Sequence, residues 1–457
     1  MHIIIHDVRM KMHLQISLPT LCALLCRYVV RLRVATCAAV FVLPGLALAD
    51  ASTPPIPDTP AGHALVAWLD AFNSGDSEKF AFFAKMHAPW MGFDQEKALH
   101  ASTGGYDLAS IDGSGNLWIV FHATSRVSGT RMFGSLVVRQ KELEHITLLD
   151  LVPAESKSAE IVLDEAGRSR VIEGAEGLIT EFYVFPDVAK TMVVKLEALR
   201  KRGDYRNITD GRVLAVRLED DLRVISGDKH FAVHYFAKER PPEEPLSHPH
   251  VDPRMMAADN CGFENADHLR PNIGYLKLNF FGEPELCAPT AIAVMNFLAD
   301  SDTLIIDLRD NGGGAPPMAA LLSSYLFDER THLDDIYDHT KETTEQSWTF
   351  PYLPGKKLTG KAVYVLTSSQ TFSTGEEFGF DLKNLKRATL VGEATGGGAH
   401  PMAPHRIDGH FFISVPFGRF MNPITKADWE GTGVEPDIKV PAADALDEAL
   451  KRARKEP

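Results

Sequence analysis

Asp307-Leu308-Arg309-Asp310-Asn311-Gly312-Gly313-Gly314 and, about sixty residues on, Thr371-Phe372-Ser373-Thr374-Gly375-Glu376-Glu377 decide the reading of this chain. Each follows a short apolar run, Thr303 to Leu308 and Ala362 to Leu366, of the branched kind found in strands buried on both faces. The glycine run ends the first strand and permits positive φ, so its N–H groups can turn into a cleft. Such groups would suit an oxyanion binder. Ser373 precedes a helix expected over Glu376 to Leu385, where free N–H groups and the positive dipole end favour negative charge. The Thr374 amide would then be a second oxyanion donor. The plainer reading of Ser373 is a helix N-cap with Glu376 as its capping-box partner.

A serine nucleophile needs a base, and the chain offers 18 histidines. Leu214 to Leu222 reads as a helix, and Arg223 to Val233 leads from its end into a strand carrying His230. Composition and spacing do not single out that histidine.

Taken in order, these segments resemble the superfamily of C-terminal processing peptidases, tricorn core peptidases and interphotoreceptor retinoid-binding protein modules. The resemblance covers about Thr180 to Pro441. It rests on Phe182 to His230, Ile273-Gly274-Tyr275-Leu276, Asp307 to Gly314, Thr371 to Glu377 and Glu430-Gly431-Thr432-Gly433-Val434-Glu435-Pro436-Asp437. It implies an α/β core of the ClpP/crotonase-like spiral type with a helical cap. The processing peptidases use a lysine about 25 residues after the serine; here that place falls in Gly392 to Ala399, which holds none. The chain is therefore similar to the tricorn-like, histidine-using branch. That likeness implies Ser373 as nucleophile, His230 as general base and acid, and Glu430 as the polarising carboxylate. It also implies Gly313, or Gly312 in the other register, and Thr374 as oxyanion donors. Glu376, Glu377 and Glu435 are competing carboxylates, the first two reading rather as helix-capping acids, and Asp228, two residues before His230 on an expected strand, is another.

The surrounding sequence supplies context. Arg27, Arg31 and Arg33 precede the apolar run Val34 to Leu46, and Ala47-Leu48-Ala49 offers a small-residue cleavage site, as in a secretory signal. Its removal takes five basic and one acidic residue and moves the formal charge from −14 to −18, unsuited to nucleic acid. The product would be periplasmic or secreted, without stable membrane insertion. Of five cysteines only Cys261 and Cys287 remain, and export favours a disulfide between them over separate buried thiols.

Beyond the signal (1–49) and a Pro-rich linker (50–61), residues 62–155 read as helices followed by four antiparallel strands. This α+β order and Trp68 to Asp76 resemble a cone-shaped, cystatin-like domain of the nuclear-transport-factor or SnoaL type. The remaining divisions are a cap (175–236), a Pro-rich linker (237–270), the core (271–443) and a C-terminal helix (444–457). About forty residues between His230 and Ile273 leave no room for a PDZ domain. His248, His250, His400, His405 and His410 lack the helix-spaced pattern of zinc sites, and phosphate-loop and dinucleotide fingerprints are missing, so no metal and no cofactor are expected. Arg406 to Pro416 reads as a hairpin whose edge suits an extended peptide, with Phe417, Arg419, Phe420 and Met421 as candidate pocket residues. The expected activity is a serine endopeptidase acting on peptide or protein. Other readings are a carrier of an apolar ligand or peptide, and a small-molecule ester or amide hydrolase.

Overall fold

The computed structural model describes residues 54–157, 161–242, 253–269 and 272–454. The expected signal at 1–49 lies outside them, as do His248 and His250. The described residues form one compact unit.

Helix α1 (Pro60–Asn73) starts at Thr59, whose hydroxyl accepts the Gly62 amide, with Pro60 at the first helical position. Its apolar positions Leu65, Trp68 and Phe72 recur at helical spacing and are buried. Helices α2 (Ser77–His87), capped by Asp76, and α3 (Phe93–Thr103) complete the layer. Strands β1 (Tyr106–Ser114), β2 (Trp118–Ser125), β3 (Arg131–Val138) and β4 (Ile146–Pro153) follow as an antiparallel meander. Alternation of side chains divides the sheet between two cores. Ile119, Phe121 and Leu136 join Trp68 and Phe72, whereas Trp118, Val120 and Val137 belong to the core of the next helical layer.

After the single turn α4 (Ala154–Lys157), that layer consists of α5 (Glu165–Phe182), α6 (Pro186–Arg202) and α7 (Gly211–Ser226). Asp210 caps α7 by accepting the Arg212 and Val213 amides, and Gly227 ends it at φ +79°. The chain then turns into β5 (Ala232–Tyr235). His230 thus lies in the α7–β5 turn and not on an extended strand, because the Asp228 carboxylate accepts the His230 amide at 3.0 Å and closes a side-chain turn.

Following α8 (Pro253–Ala258) come β6 (Phe263–Leu269), β7 (Ile273–Leu278), α9 (Pro284–Leu298), β8 (Thr303–Asp307) and α10 (Pro316–Ser324). Next are β9 (His332–Asp338), β10 (Thr343–Trp348), β11 (Ala362–Thr367), α11 (Thr374–Asn384) and β12 (Thr389–Gly392). The last elements are β13 (Met402–Arg406), β14 (Phe411–Pro416), β15 (Gly418–Met421), β16 (Ile438–Lys439) and α12 (Ala445–Ala453). The central sheet has the order β16-β12-β11-β8-β7-β6, parallel except for β6. The chain is accordingly mixed α/β. Side chains from α9, α10 and α11 join a core with one sheet face, and those of α12 with the other, so β8 is buried at every residue. Two three-stranded sheets, β10-β9-β15 and β13-β14-β5, flank it. Cys261 and Cys287 form a disulfide that ties the turn before β6 to α9. Among the described residues no helix is long and apolar enough to cross a membrane.

Candidate active site

The two motif loops meet where β8 and β11, parallel neighbours, both end. Asp307 closes β8 and is held by the Arg309 guanidinium and by the Tyr275 hydroxyl, which donates at 2.8 Å. Arg309 also donates to the Ala442 carbonyl. This acid and base are therefore structural. Asn311, fully buried, donates through Nδ2 to the Leu278 carbonyl at 2.8 Å and accepts the Gly313 amide at 2.9 Å. Its main-chain carbonyl accepts the Phe372 amide. The Thr371 hydroxyl donates to the Leu308 carbonyl at 2.7 Å.

Glycine is required at position 313. Its φ is +107°, and a Cβ there would stand 2.8 Å from the Ser373 Cβ and 3.2 Å from the Thr374 nitrogen. The loop thus passes directly against the nucleophile candidate. Two expected donors are already engaged, however: the Gly312 amide donates to the Asn279 carbonyl and the Gly313 amide to Asn311 Oδ1. Thr374 is the first residue of α11, so its amide has no acceptor within the helix.

Ser373 has φ +52° and ψ −122°, a conformation that costs a non-glycine residue ~1–3 kcal/mol. This sharp strand-to-helix turn projects the hydroxyl to the head of α11. Its Oγ lies 3.3 Å from His230 Nε2. The Ser373 amide donates to Glu376 Oε2 at 2.8 Å. Glu376 also accepts the Gly397 and Gly398 amides and the Thr395 hydroxyl. Glu376 is thus more than a helix cap: it pins the glycine loop 396–398 to the Ser373 turn. Glu377, expected as a capping acid, instead points into the core beside Asp334 and Asp381.

The His230 ring stacks on Phe372 at 5.0 Å between centroids. Burial pushes its pKa down to about 4, helped by the charges of His400 and Arg223 and opposed by Asp228. The imidazole is therefore neutral and able to accept a proton. Its Nδ1 is buried, has no hydrogen-bond partner among the described residues, and stands 4.0 Å from Asp228 Oδ1.

Asp228 is the carboxylate nearest to that ring in this array. Its Oδ2 accepts from His400 Nδ1 at 2.6 Å and from the Tyr183 hydroxyl at 3.3 Å. Burial lowers the pKa of His400, but the hydrogen bond and charge of Asp228 and the charges of Glu430 and Asp428 outweigh it and raise the net value. Glu430, which the resemblance implied as the polarising carboxylate, has no hydrogen bond to His230 or Ser373 among the described residues. Its Oε2 accepts the Ala399 amide at 2.6 Å and lies 3.5 Å from His400 Nδ1. Burial and the neighbouring Asp228 charge push it up to about 7. The reason for the displacement is local. Trp429, fully buried, donates to the Gly398 carbonyl at 2.7 Å and fixes the Trp429–Glu430 turn against the loop before His400.

Sequence reasoning read Glu376 chiefly as a helix cap and weighed His400 only as a metal ligand, and so did not bring them into the site. The available signal was Gly396-Gly397-Gly398-Ala399-His400: a glycine run needing N–H acceptors, with a histidine at its end. Phe420, a candidate pocket residue, is instead core, packed on Trp429 at 5.5 Å, because β15 pairs with β9.

Among the described residues, two groups bring three possible metal ligands within 4.8 Å of one another, Asp228/His400/Glu430 and Asp334/Glu377/Asp381. In the first, His400 Nδ1 and Asp228 are already joined by a hydrogen bond. In the second, burial raises all three carboxyl groups, Asp334 to about 6, so protons compete for the same oxygens.

Comparison with known proteins gives matches over the same segments. The model of the family described as Peptidase family S41 matches residues 272–440. That described as the N-terminal domain of Peptidase S41 in eukaryotic IRBP matches residues 154–263. The chain is 26% identical over 192 residues to carboxyl-terminal-processing peptidase 1, chloroplastic, of Arabidopsis thaliana, covering 41% of this chain and 38% of that protein. It is 31% identical over 145 residues to the tricorn protease of Thermoplasma volcanium, covering 31% of this chain and 13% of that protein. The chain thus spans well under half the length of these relatives. A solved photosystem II D1 C-terminal processing protease aligns with 64% of this chain and 97% of its own, at 14% identity and a TM-score of 0.39.

Proposed function

Because the chain belongs to peptidase family S41, we propose that it is a serine endopeptidase working through an acyl-enzyme on Ser373. The observation that carries this reading is the 3.3 Å contact between Ser373 Oγ and a buried, neutral His230 Nε2 at the head of α11. His230 takes the hydroxyl proton as Oγ attacks the peptide carbonyl. The scissile C–N bond then breaks, and His230 returns the proton to the departing amine. Water releases the acyl group by the same steps in reverse order of partners.

The developing oxyanion meets the Thr374 amide and the dipole of α11. The Gly312–Gly314 turn supplies a second donor if Gly313 shares its amide between substrate and Asn311 Oδ1, its acceptor in this structure. Asp228 stands to the developing imidazolium as its nearest carboxylate, 4.0 Å away. In this reading the spiral-type core carries the nucleophile and the helices α5–α7 form the cap that delivers the base. The N-terminal α+β unit braces that cap. The disulfide and the apolar segment ahead of residue 50 favour a periplasmic or secreted protein.

The test is cleavage of a denatured-protein and peptide mixture read by mass spectrometry, with wild type, Ser373→Ala and His230→Ala compared. Cleavage lost in both folded variants supports the reading; cleavage surviving in either, or absent from the wild type, rejects it.

A further inference from the structure

His400 lies in none of the motifs that point to a hydrolase, yet it is buried at the centre of the carboxylates behind the base. We propose that His400 is a positioning residue of the proton relay: its imidazole joins Asp228 to Glu430 and thereby holds His230 in register with Ser373. This inference rests on the peptidase reading above.

The argument is one of connectivity. Asp228 has two oxygens with separate tasks. Its Oδ1 fixes the His230 main chain by accepting the amide at 3.0 Å and faces His230 Nδ1. Its Oδ2 is taken by His400 Nδ1 at 2.6 Å and by Tyr183 at 3.3 Å. A buried carboxylate that loses such partners must rotate, bind a proton or draw in water. Without His400, Asp228 keeps only Tyr183 on that oxygen, and the carboxylate is no longer constrained to present Oδ1 to His230.

His400 is itself held from both sides. The loop before it hangs from Glu376 through the Gly397 and Gly398 amides and from Glu430 through the Ala399 amide. Phe185 meets its ring edge-on at 5.3 Å. Among the described residues Glu430 Oε2, 3.5 Å from His400 Nδ1, thus connects to the base through His400 and Asp228. The array runs Glu430, His400, Asp228, His230, Ser373. Its charged and titratable neighbours are Asp228 and Arg223 on the α7–β5 side, Tyr183 between α5 and α6, and Asp428 and Glu430 on the Trp429 turn.

The experiment uses the full chain with His400→Ala and His400→Asn. The asparagine amide can replace the Nδ1–H donor to Asp228 but carries no titratable charge. Steady-state cleavage of a peptide that the wild type cuts should show kcat lowered ~10–100-fold in His400→Ala, with KM within about threefold, the scale seen when a group orienting a reactive residue is removed. His400→Asn should regain most of that kcat while keeping a displaced acid limb of kcat/KM. Wild-type kcat and pH profile in both variants would overturn the proposal. So would a raised KM at unchanged kcat, which would assign His400 to substrate.

A second readout needs no turnover. The His230 Cε1–H resonance, followed by NMR in histidine-labelled protein, should change its titration midpoint in His400→Asn and in Asp228→Asn. An unchanged midpoint in both rejects the array even if peptidase activity is established. A changed midpoint with no cleavage by the wild type would reject the peptidase reading and leave the coupling standing. Circular dichroism melts identify a variant that fails to fold, and the asparagine substitutions then carry the test.

Discussion

The Asn311 carbonyl accepts the amide of Phe372 at 2.9 Å, joining the glycine loop after β8 to the residue just before Ser373. The same residue spends its side chain on Leu278 and Gly313. One buried residue, through its main-chain carbonyl and its side-chain amide, therefore sets the relative position of three segments.

Asn311→Ala should leave the Leu278 carbonyl and the Gly313 amide unpaired, at a cost of about 1–3 kcal/mol for each group left unsatisfied. Urea denaturation should report the lost stability, and kcat should fall further than folding alone explains. A variant of wild-type stability would contradict the assignment.

Gly398→Ala is expected to displace the base. A Cβ there would fall 2.6 Å from His230 Cε1 and 2.4 Å from Phe372 Cζ, both in packed rings. We expect kcat to drop at least ~10-fold, since misplacement by about 1 Å can cost 100-fold. Wild-type kcat in this variant would mean that the two rings move aside freely.

The acid limb of kcat/KM should fall well below the usual histidine range. His230 must be neutral to accept a proton, and burial holds its pKa down at about 4, below the ordinary histidine value of 6.5. Activity dependent on it is retained as pH falls through 6.5 and declines toward 4. Stability follows the same window. Between 6.5 and about 4 the unfolded chain binds more protons at this residue, so stability rises with pH there and is lost as pH falls. His230→Gln should flatten that part of the profile in denaturation at pH 7 and pH 5. Glu430, pushed up to about 7, should add a second inflection that Glu430→Gln removes.

The buried carboxyls of Asp334, Glu377 and Asp381 predict an opposite slope. Burial raises Asp334 from 3.8 to about 6, so the folded chain holds a proton that the unfolded chain has released. Its contribution declines as pH rises across that interval. Asp381→Asn should therefore stabilise the protein at pH 7.5 by on the order of 1 kcal/mol, roughly 1 °C in melting temperature for a chain of this length, with little gain at pH 3.5. A destabilised Asn variant, together with a wild-type melting temperature raised by added calcium or magnesium, would show that the cluster takes a cation instead.

Much of this architecture was legible in local sequence. Thr303 to Leu308 and Ala362 to Leu366 read as buried strands and form β8 and β11; Tyr106 to Val152 reads as four strands and forms β1 to β4. Ser373 at a helix head and His230 after α7 were also readable, the second only through resemblance. What escaped was set by tertiary contacts. Asp228 binds the His230 main chain, so that segment turns where an extended strand was expected. Glu430 is drawn to the Ala399 amide by the burial of Trp429, 30 residues down the chain. Neither event leaves a local pattern. The Gly313 turn does pass against Ser373, but the acceptors of the Gly312 and Gly313 amides, the Asn279 carbonyl and Asn311 Oδ1, depend on how the loop folds back on β7.

Ser373 occupies a backbone conformation in which glycine is at ease and serine is not. Exchange for glycine would remove the hydroxyl and relax the turn together, so the chain stripped of its proposed nucleophile should be the more durable one. Backbone strain alone thus gives no reason to keep serine here, and its place at the head of α11 offsets that strain only through its capping box with Glu376.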